Sequence, residues 1–549
     1  MKPHVFHVAR ECSEIVSSGG LGDVVLQLAA RCAAEGFPTT VILPRYGGMS
    51  REFQDRTEPV PDPVAIPMSY GPDPSRTEPV VFRTMGHRGF EVCLVDSPRF
   101  RGKLHPYVYD EEEAAAFQAL PREERLFCGA ERPFPGFEVR AGTGHFDYFA
   151  MNLLLQKAAL AYVRLRAPER AVIHGHDAHA AVLPLLALGR PWRDPTDRPR
   201  TIVTSHNFGE QYRQRCGDRG FVHSVTGCDA ASVDRCWVDG AFDPFAAAAL
   251  YADRLTTVSD GYAWEVLQAA SGQCPPDYGG DLRGFSRFLS AGGRDLLGIT
   301  NGIDPALKGP EALPPALKPE RSEAGAFLWK KAAKTRLLSR IRQNVPAWGI
   351  ARERILGGLD GMRDLDCLFT SVGRLVEQKA PDVMAQAAAE VLSYHGNAGL
   401  AVLGDSDNAR IVKGLESLAR RFPGRVVVIR GFSDLLSREI YAGGDFLLVP
   451  SRCEPCGLVD LIAQINGNIP IANQVGGLAK VVDGGTGIGY FALSDRENLR
   501  GLVSGMHRAM TLFAGHEELR EMRERADRHV RSRYSWEAVF PKYRSLYED

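Results

Sequence analysis

The residues best suited to chemistry lie at 451–461, where Ser-Arg-Cys-Glu-Pro-Cys-Gly precedes Leu-Val-Asp-Leu. The apolar run at 445–450 predicts a buried parallel strand before them, and the pattern at 458–464 predicts a helix after them. Glu454 would then stand at the carboxyl end of a strand, just ahead of Gly457 and the N–H groups of a helix start. Ligands bind at such a sheet edge. The carboxylate suits sugar hydroxyl groups, and the amides suit a phosphate.

Two other interpretations of this turn stay open. Cys453 and Cys456 match the C-x-x-C spacing of a redox pair, with Pro455 between them. The two sulfur atoms are equally suited to packing, and the segment could be an ordinary turn between a strand and a helix.

A second cluster follows the predicted strand at 170–174 and contains His174, His176 and His179. These spacings are compatible with metal ligands, but the closed set of thiolates typical of a structural zinc site is missing. Imidazoles at the end of a strand also hydrogen-bond sugars, shuttle protons or satisfy one another. We favour ligand contact over a metal or a purely structural cluster, and predict neither a metal nor a cofactor.

The composition limits the partners and the compartment. A chain of 549 residues is expected to form two or three domains. Its 66 basic and 67 acidic residues leave a net charge of −1, which predicts no nucleic-acid or membrane partner. The first residues are typical of a strand rather than a secretory signal, and the eleven scattered cysteines suggest reduced thiols. We therefore expect a cytoplasmic protein.

The elements that position these residues follow a βαβ plan. Strands at 4–9 and 39–44 flank a helix at 22–35, which predicts a parallel, doubly wound sheet. The turn at 17–23 contains three glycines, which would let the backbone approach a phosphate. Further predicted strands end in Asn207, Ser259 and Asn301, which indicates a rim that faces a ligand, although each could also be a loop cap.

A second α/β domain is predicted after a Pro-rich stretch and a basic helix with Lys330, Lys331 and Lys334. Its first strand, at 367–372, leads into a turn that carries Arg374 and Lys379. Two cations at a strand–helix junction suit a diphosphate, although they could also be ordinary surface charges.

Taken in order, these motifs resemble those of the bacterial glycogen synthase and plant starch synthase family, retaining glycosyltransferases of the GT-B type. The resemblance implies two Rossmann-like, doubly wound domains with a cleft between them. The domain plan expected is an acceptor-side domain at 1–304 with an insertion near 114–145, a linker or insertion at 305–350, a nucleotide-sugar domain at 351–525, and a segment at 526–549 that packs back on the first domain. The matching motifs are Gly19-Gly-Leu-Gly-Asp23, Asp147, His174-Gly-His-Asp-Ala-His179, His206-Asn207, Val258-Ser259, Asn301-Gly-Ile-Asp304, Arg374-Leu-Val-Glu-Gln-Lys379, Pro450-Ser-Arg-Cys-Glu-Pro-Cys-Gly-Leu458 and Gly476-Gly-Leu.

The resemblance also implies the reaction and the residues that perform it. Glucose would pass from a nucleotide diphosphate-glucose, ADP-glucose in bacteria, to the 4-hydroxyl of an α-1,4-glucan with retention of configuration. By resemblance, the catalytic residues are His176, Arg374, Lys379 and Glu454, and the substrate-binding residues are Gly19, Gly20, Asp23, Asp147, Asn207, Asn301, Cys456, Gly457 and Leu458. The partners expected are therefore a nucleotide-sugar donor and a glucan or other glycan acceptor.

The chain departs from the family pattern at the site itself. Ser17 stands where the family has Lys, Ala178 where it has Trp, and Val459-Asp460 where it has Thr-Gln or Ile-Gln. The loss of a lysine and the gain of Asp460 make the pocket less hospitable to a polyanionic donor, and Ala178 removes a flat surface for a sugar. Two alternatives therefore stand beside the synthase: a GT-B transferase with another donor or acceptor, and a non-catalytic homologue that binds glucan or nucleotide.

Overall fold

The computed structural model describes residues 2–70, 76–119, 139–189, 198–272, 282–313, 318, 327, 329–343 and 348–548. Contacts divide the chain into two compact units, which are described here one at a time. Unit 1 contains Met1–Thr257, Gly280–Leu297 and Phe540–Asp549, and unit 2 contains Val258–Gly279 and Gly298–Val539. The domain boundaries predicted at 304, 350 and 525 do not coincide with this division and stay predictions.

Ten described strands of unit 1 form one sheet, in the order β12-β11-β8-β7-β1-β2-β6-β5-β3, with β4 on β5. From β11 to β6 the neighbours are parallel, whereas β5 runs antiparallel to β6. The strands, with the separate hairpin β9–β10, are β1 His4–Val8, β2 Thr39–Pro44, β3 Glu58–Pro59, β4 Val64–Pro67, β5 Thr77–His87, β6 Phe90–Asp96, β7 Ala171–His176, β8 Arg200–Ser205, β9 Trp237–Val238, β10 Ala241–Phe242, β11 Arg254–Thr257 and β12 Leu297–Gly298.

The helices of unit 1 cover this sheet. The predicted helix at 22–35 is α1, which begins two residues earlier, and most residues of the long helix α5 are buried, including the polar Asn152, Gln156 and Lys157. Of the helices that follow, only α11 belongs to unit 2. The described helices up to residue 291 are α1 Gly20–Ala34, α2 Arg51–Asp55, α3 Pro98–Arg101, α4 Glu111–Ala119, α5 Tyr148–Arg166, α6 Leu183–Leu188, α7 Glu210–Arg213, α8 Arg219–Thr226, α9 Ala230–Asp234, α10 Pro244–Tyr251, α11 Asp260–Gln268 and α12 Leu282–Ala291.

Unit 2 contains a second sheet of seven described strands in the order β13-β16-β15-β14-β17-β18-β19. All neighbours are parallel except β13 and β16. The near-continuous apolar runs of β14 to β18 are buried, as expected of strands covered on both faces. The strands are β13 Ile355–Gly358, β14 Cys367–Val372, β15 Ala398–Leu403, β16 Val426–Ile429, β17 Phe446–Val449, β18 Ile469–Asn473 and β19 Ile488–Tyr490.

The remaining helices alternate with these strands, which gives the doubly wound plan that the sequence predicts. They are α13 Pro305–Lys308, α14 Lys330–Gln343, α15 Pro381–Tyr394, α16 Ala409–Arg421, α17 Asp434–Gly443, α18 Leu458–Ile465, α19 Asp495–Ala514, α20 His516–Arg533 and α21 Trp536–Glu548.

The basic helix predicted near the linker is α14, and it belongs to the core of unit 2. Its Leu337 and Leu338 are buried in the same cluster as Leu368 of β14. Lys330 is buried and donates hydrogen bonds to main-chain carbonyl groups, including that of Ala442 at 2.6 Å. Lys334 is also buried, and its Nζ lies 2.6 Å from Asp445 Oδ2. These lysines therefore stabilise unit 2 from within, rather than forming a charged linker surface.

The last residues of α21 belong to unit 1. Tyr547 is buried, and its hydroxyl lies 2.9 Å from His174 Nδ1 on β7. The insertion predicted near 114–145 begins within α4, and its residues 120–138 lie outside the described residues. Among the described helices, we find none with the length and apolarity needed to cross a membrane.

Candidate functional site

In unit 2, the 451–457 turn joins β17 to α18, as the sequence predicts. Gly457 precedes the first residue of α18 and has a φ of +73°, a left-handed conformation that favours glycine. A Cβ atom at Gly477 would fall 2.1 Å from the carbonyl oxygen of Cys456, so a second glycine is required where the 3₁₀ turn Gly476–Lys480 packs on this one. One left-handed glycine and one close backbone approach therefore fix the turn's shape.

Glu454 and Lys379 are brought together at this turn, although 75 residues separate them. Lys379 Nζ donates to Glu454 Oε2, which also accepts a 3.1 Å hydrogen bond from Ser451 Oγ. Glu454 is 6% exposed, whereas the Lys379 side chain is 28% exposed. The carboxylate is thus held rigidly, and the ammonium group beside it is open to solvent.

Arg452 fixes the turn that carries Lys379. Its guanidinium donates to the carbonyl oxygen of Glu377 at 2.6 Å, and it pairs with Asp382 and Asp495 at 2.7 Å each. These bonds use its charge within the protein, and the 3₁₀ turn Glu377–Lys379 is thereby tied to the 451–457 turn. Arg452 is consequently a structural neighbour of the site.

Arg374 lies on the turn that follows β14 and is exposed. Since β14 and β17 are parallel neighbours, this turn and the 451–457 turn meet at the same edge of the sheet. The carbonyl of Gly373 would fall 1.9 Å from a Cβ atom at Gly404, so the backbone there is held closely against the end of β15. This sheet edge therefore carries two partly or fully exposed cations, Arg374 and Lys379, near one buried carboxylate.

The two cysteines of the turn are buried free thiols. Burial raises the pKa of Cys456 to about 11, and the backbone N–H of Asn301 interacts with its sulfur. A thiol with such a pKa is a poor nucleophile at neutral pH, which favours packing over the redox interpretation. Asn301 is 3% exposed, and its Oδ1 has no hydrogen-bond partner among the described residues.

Two residues of unit 2 that the sequence did not single out for a role hold the turn in place. Ser259 Oγ donates to the carbonyl of Pro455 at 2.6 Å, and Glu265 accepts a 2.6 Å hydrogen bond from the amide of Gly476. Ser259 ends a predicted strand and belongs to the Val258-Ser259 motif, whereas nothing in the local sequence of Glu265 indicates its distant partner. Asp460, expected to repel an anion, is buried and lies 3.0 Å from Lys480 Nζ, so its charge is compensated.

In unit 1, the 17–20 turn between β1 and α1 is occupied by a carboxylate of the protein itself. Glu11 is buried, and its Oε2 accepts hydrogen bonds from the amides of Ser18 at 2.6 Å and Gly19 at 2.9 Å. Two of the amides expected to face a phosphate therefore already bind an anion of the protein itself, and the phosphate contact stays a prediction. Gly19 and Gly20 are nevertheless exposed.

Asp23 and Asp147, both predicted to bind substrate, are held differently. Asp23 is partly exposed in the first turn of α1 and accepts a 2.7 Å hydrogen bond from Ser13 Oγ. Asp147 is buried and pairs with Arg99 at 2.7 Å and Lys103 at 3.0 Å, cations that lower its pKa to about 2 against the effect of burial. Asp147 is therefore an ionised structural group as well as a candidate ligand contact.

His176 is buried in a row of imidazoles at the end of β7. Its Nε2 lies 3.2 Å from His7 Nδ1, and its Nδ1 lies 3.3 Å from His206 Nε2. Burial lowers the pKa of all three rings, so each is neutral and has one donor and one acceptor for this row. His206 is the partly exposed member of the row.

The imidazole nitrogens of His7, His174 and His176 lie within 4.8 Å of one another, a spacing compatible with a metal ion. Both nitrogens of His174 are already engaged, however, since Nε2 lies 2.6 Å from Thr204 Oγ1 and Nδ1 contacts Tyr547. A metal would have to displace these bonds. The geometry therefore favours a hydrogen-bonded cluster over a metal centre.

Asp177, which belongs to the 174–179 motif but has no predicted role of its own, combines a strained backbone with a shifted pKa. It has a φ of +60° with ψ near 180°, a region that costs a residue with a side chain of the order of 1–3 kcal/mol. Its Oδ1 accepts a 2.6 Å hydrogen bond from the amide of His206, and burial raises its pKa to about 7. Asn207 Oδ1 accepts from the amide of Gly209 at 2.8 Å. Strain and a shifted pKa in one residue are typical of functional sites.

Two protein-family models match the chain. One, described as the starch synthase catalytic domain, matches residues 4–128 and 126–285. The other, described as glycosyl transferases group 1, matches residues 366–511. The two matches lie in the regions of the chain that carry the 17–20 turn and the 451–457 turn, respectively.

Similar proteins and structures agree with these models. A glycogen synthase from Burkholderia thailandensis is 30% identical over 485 residues, covering 87% of this chain and 76% of that protein. Glycogen synthase 1 from Synechocystis sp. is 28% identical over 558 aligned residues, covering 99% and 94%. The catalytic domain of starch synthase IV from Arabidopsis thaliana, solved with ADP and acarbose, has a TM-score of 0.74 at 22% identity and covers 100% of this chain and 99% of that one. The predicted GT-B fold class is thereby confirmed.

Proposed function

We propose that this chain, which belongs to the glycogen and starch synthase family of glycosyltransferases, transfers glucose from ADP-glucose to the 4-hydroxyl of an α-1,4-glucan with retention of configuration. Family membership establishes a hexosyltransferase. The donor, the acceptor and the stereochemistry are the proposal. The observation that carries it is the pairing of Lys379 with the buried Glu454 at a sheet edge that also carries Arg374.

The cations of this edge suit a leaving diphosphate. Cleavage of the glycosyl–phosphate bond builds negative charge on the diphosphate, and preorganised cations stabilise charge that develops in a transition state. Arg374 offers a planar fork of donors, and Lys379 offers a point charge. Lys379 pairs with Glu454, which holds its ammonium group at this edge.

Glu454 and the amides of the 451–457 turn would orient the sugar. A buried carboxylate accepts hydrogen bonds from hydroxyl groups, and the turn's N–H groups and the start of α18 favour an anion. The unpartnered Oδ1 of Asn301 offers a further acceptor close to Cys456. Cys456, Gly457, Leu458 and Asn301 thus remain proposed substrate contacts, with Glu454 as their anchor.

Unit 1 would serve the acceptor. Its 17–20 turn has lost the family's lysine at Ser17, and Glu11 occupies two amides, so it suits neutral hydroxyl groups better than phosphate. Gly19, Gly20, Asp23, Asp147, Asn207 and His176 are the proposed contacts on this side. His176 would act through the neutral imidazole row that ends at the partly exposed His206.

A second candidate is a GT-B transferase with a different acceptor. Ala178, which stands where the family has tryptophan, is 1% exposed and therefore offers no surface on which a sugar could stack.

A cytoplasmic location is part of the proposal, and it is supported by the nine described cysteines, all of which are free.

A donor screen tests the proposal. Release of nucleoside diphosphate is measured from ADP-glucose and other nucleotide sugars, with and without glycogen, beside an Arg374→Ala variant. Release of ADP that depends on glycogen and is lost in the variant is the expected result. Release from another donor, or release indifferent to glycogen, would support the second candidate. Binding of glucan or nucleotide without any release would indicate a non-catalytic homologue.

A further inference from the structure

The buried ion pair of Asp460 and Lys480 lies against Gly457 of the 451–457 turn. Asp460 is fully buried in the first turn of α18, and the side chain of Lys480 is 6% exposed. A Cβ atom at Gly457 would fall 2.8 Å from Asp460 Oδ1 and 3.0 Å from Lys480 Nζ. The pair therefore touches the residue at which the turn becomes a helix.

The ammonium group of Lys480 donates hydrogen bonds to the backbone of two turns. Its Nζ donates to the carbonyls of Cys456 at 2.6 Å, Gly457 at 2.7 Å and Gly477 at 2.8 Å. An ammonium group has three N–H donors, so these three carbonyls take all of them. The 3.0 Å contact with Asp460 is consequently an attraction between charges, and Asp460 Oδ1 has no hydrogen-bond partner among the described residues.

Each member of the pair needs the other. Burying an ammonium group or a carboxylate without an opposite charge beside it strongly destabilises the fold. The group avoids this cost only by changing its protonation state. Burial raises the pKa of Asp460 to about 6, and Lys480 is the main influence that opposes this rise. The charge of Glu454 raises the pKa of Asp460 further.

We propose that Lys480 and Asp460 are positioning residues for the donor. Lys480 holds the Cys456 and Gly457 carbonyls so that the N–H groups of the turn face the diphosphate. Asp460 keeps Lys480 in place and compensates its charge. This inference rests on the proposed function, because it takes the 451–457 turn as the donor site. It also explains why an acid at 460 is tolerated beside a polyanion, because Lys480 compensates the charge of Asp460.

Four variants test the pair. Lys480→Met removes the three carbonyl contacts and leaves Asp460 as an uncompensated charge, Asp460→Asn removes only the charge, and the double variant removes both. Lys413→Met, at an exposed lysine of α16, is the matched control. The readouts are the KM for ADP-glucose, the KM for glycogen and kcat, together with the Kd of ADP from calorimetry.

The expected result is a rise of roughly tenfold in the KM for ADP-glucose and the Kd of ADP for Lys480→Met, with the KM for glycogen unchanged. Asp460→Asn, which is nearly isosteric, should leave ADP binding within about threefold. The double variant should bind ADP more tightly than Lys480→Met alone, because the unpaired carboxylate is gone.

Several results would overturn the proposal. One is a Lys480→Met protein that folds and keeps the wild-type ADP affinity. Another is an equal loss for both substrates and in the double variant, which would indicate a purely structural pair. If Lys480→Met does not fold, a double variant that binds ADP more weakly than wild type, with the KM for glycogen unchanged, supports the proposal. A double variant with wild-type ADP affinity contradicts it, as does loss of ADP binding in Asp460→Asn.

The test also separates this inference from the function on which it rests. Wild-type protein that binds ADP but releases none in the presence of glycogen contradicts the proposed transfer reaction, and the variants are then ranked by ADP affinity alone. Wild-type protein that does not bind ADP overturns both.

Discussion

The 451–457 turn of unit 2 and the 17–20 turn of unit 1 follow the same plan, a buried parallel strand that leads through glycines into a helix, yet the charged side chains that contact them differ. In unit 2, Lys379 and Lys480 compensate the carboxylates near the turn. In unit 1, Glu11 binds the turn's own amides. The glycines alone thus do not make a phosphate site. The charge of the side chains that reach the turn from distant positions decides what it can bind.

Removing Lys379, the cation that pairs with Glu454 of the 451–457 turn, should have the largest effect. Lys379→Ala deprives the leaving diphosphate of a charge and leaves the buried Glu454 unpaired, so glycogen-dependent ADP release should fall by about 10²–10³-fold. Steady-state kinetics on ADP-glucose measure this. Lys331→Ala, at an exposed lysine of α14, is the control. A similar loss in both variants would show that the effect is not specific to the site.

Neutralising the carboxylate of the unit 1 turn should have a smaller effect, on the other substrate. Glu11→Gln weakens two charge-assisted hydrogen bonds to the amides of Ser18 and Gly19, and we expect the KM for glycogen to rise roughly tenfold. The Kd of ADP should not change. Glu14→Gln, at an exposed carboxylate that pairs with Arg88, is the matched control. An unchanged KM for glycogen would remove unit 1's turn from the acceptor site.

Asp177 should make stability depend on pH. Its folded pKa of about 7 lies above the value of about 3.8 expected when unfolded, so the neutral form is favoured in the fold and stability is lost as the pH rises from about 4 through 7. Asp177→Asn keeps the shape and cannot ionise. The difference in Tm, variant minus wild type, should therefore increase between pH 5 and 8 by on the order of 2 °C. A constant difference would contradict this assignment.

The smallest effect concerns the terminal helix. Tyr547→Phe removes the hydroxyl that contacts His174 Nδ1 and should lower stability by about 1 kcal/mol, seen as a lower Tm. Tyr394→Phe, at a tyrosine that is 76% exposed, should leave the Tm unchanged. A Tyr547→Phe protein with the wild-type Tm would show that the histidine cluster does not depend on α21.

The sequence predicted the elements well because their information is local. Continuous apolar runs predicted β14 and β17, and the glycines predicted both turns with their neighbouring helices α1 and α18. The resemblance to a family then brought Lys379 and Glu454 into one site, and the structure places them in contact.

What the sequence could not predict depends on partners far apart in the chain. Lys480 reaches Cys456 only because the 3₁₀ turn at Gly476 packs on the 451–457 turn, and Glu11 reaches Ser18 only because the backbone folds back after β1. Lys330 and Lys334 were predicted as part of a basic helix near a linker, but their aliphatic chains and charges are buried in unit 2. Charge counts do not reveal which cations find a buried acceptor.

The most direct test of the contrast between the turns is the Kd of ADP, measured by calorimetry for wild type, Arg374→Ala and Glu11→Gln. We expect Arg374→Ala to raise the Kd of ADP at least tenfold and Glu11→Gln to leave it unchanged. Tighter binding in Glu11→Gln would contradict it, because a phosphate would then be competing with Glu11 for the amides of the 17–20 turn. Unchanged binding in Arg374→Ala would contradict it equally.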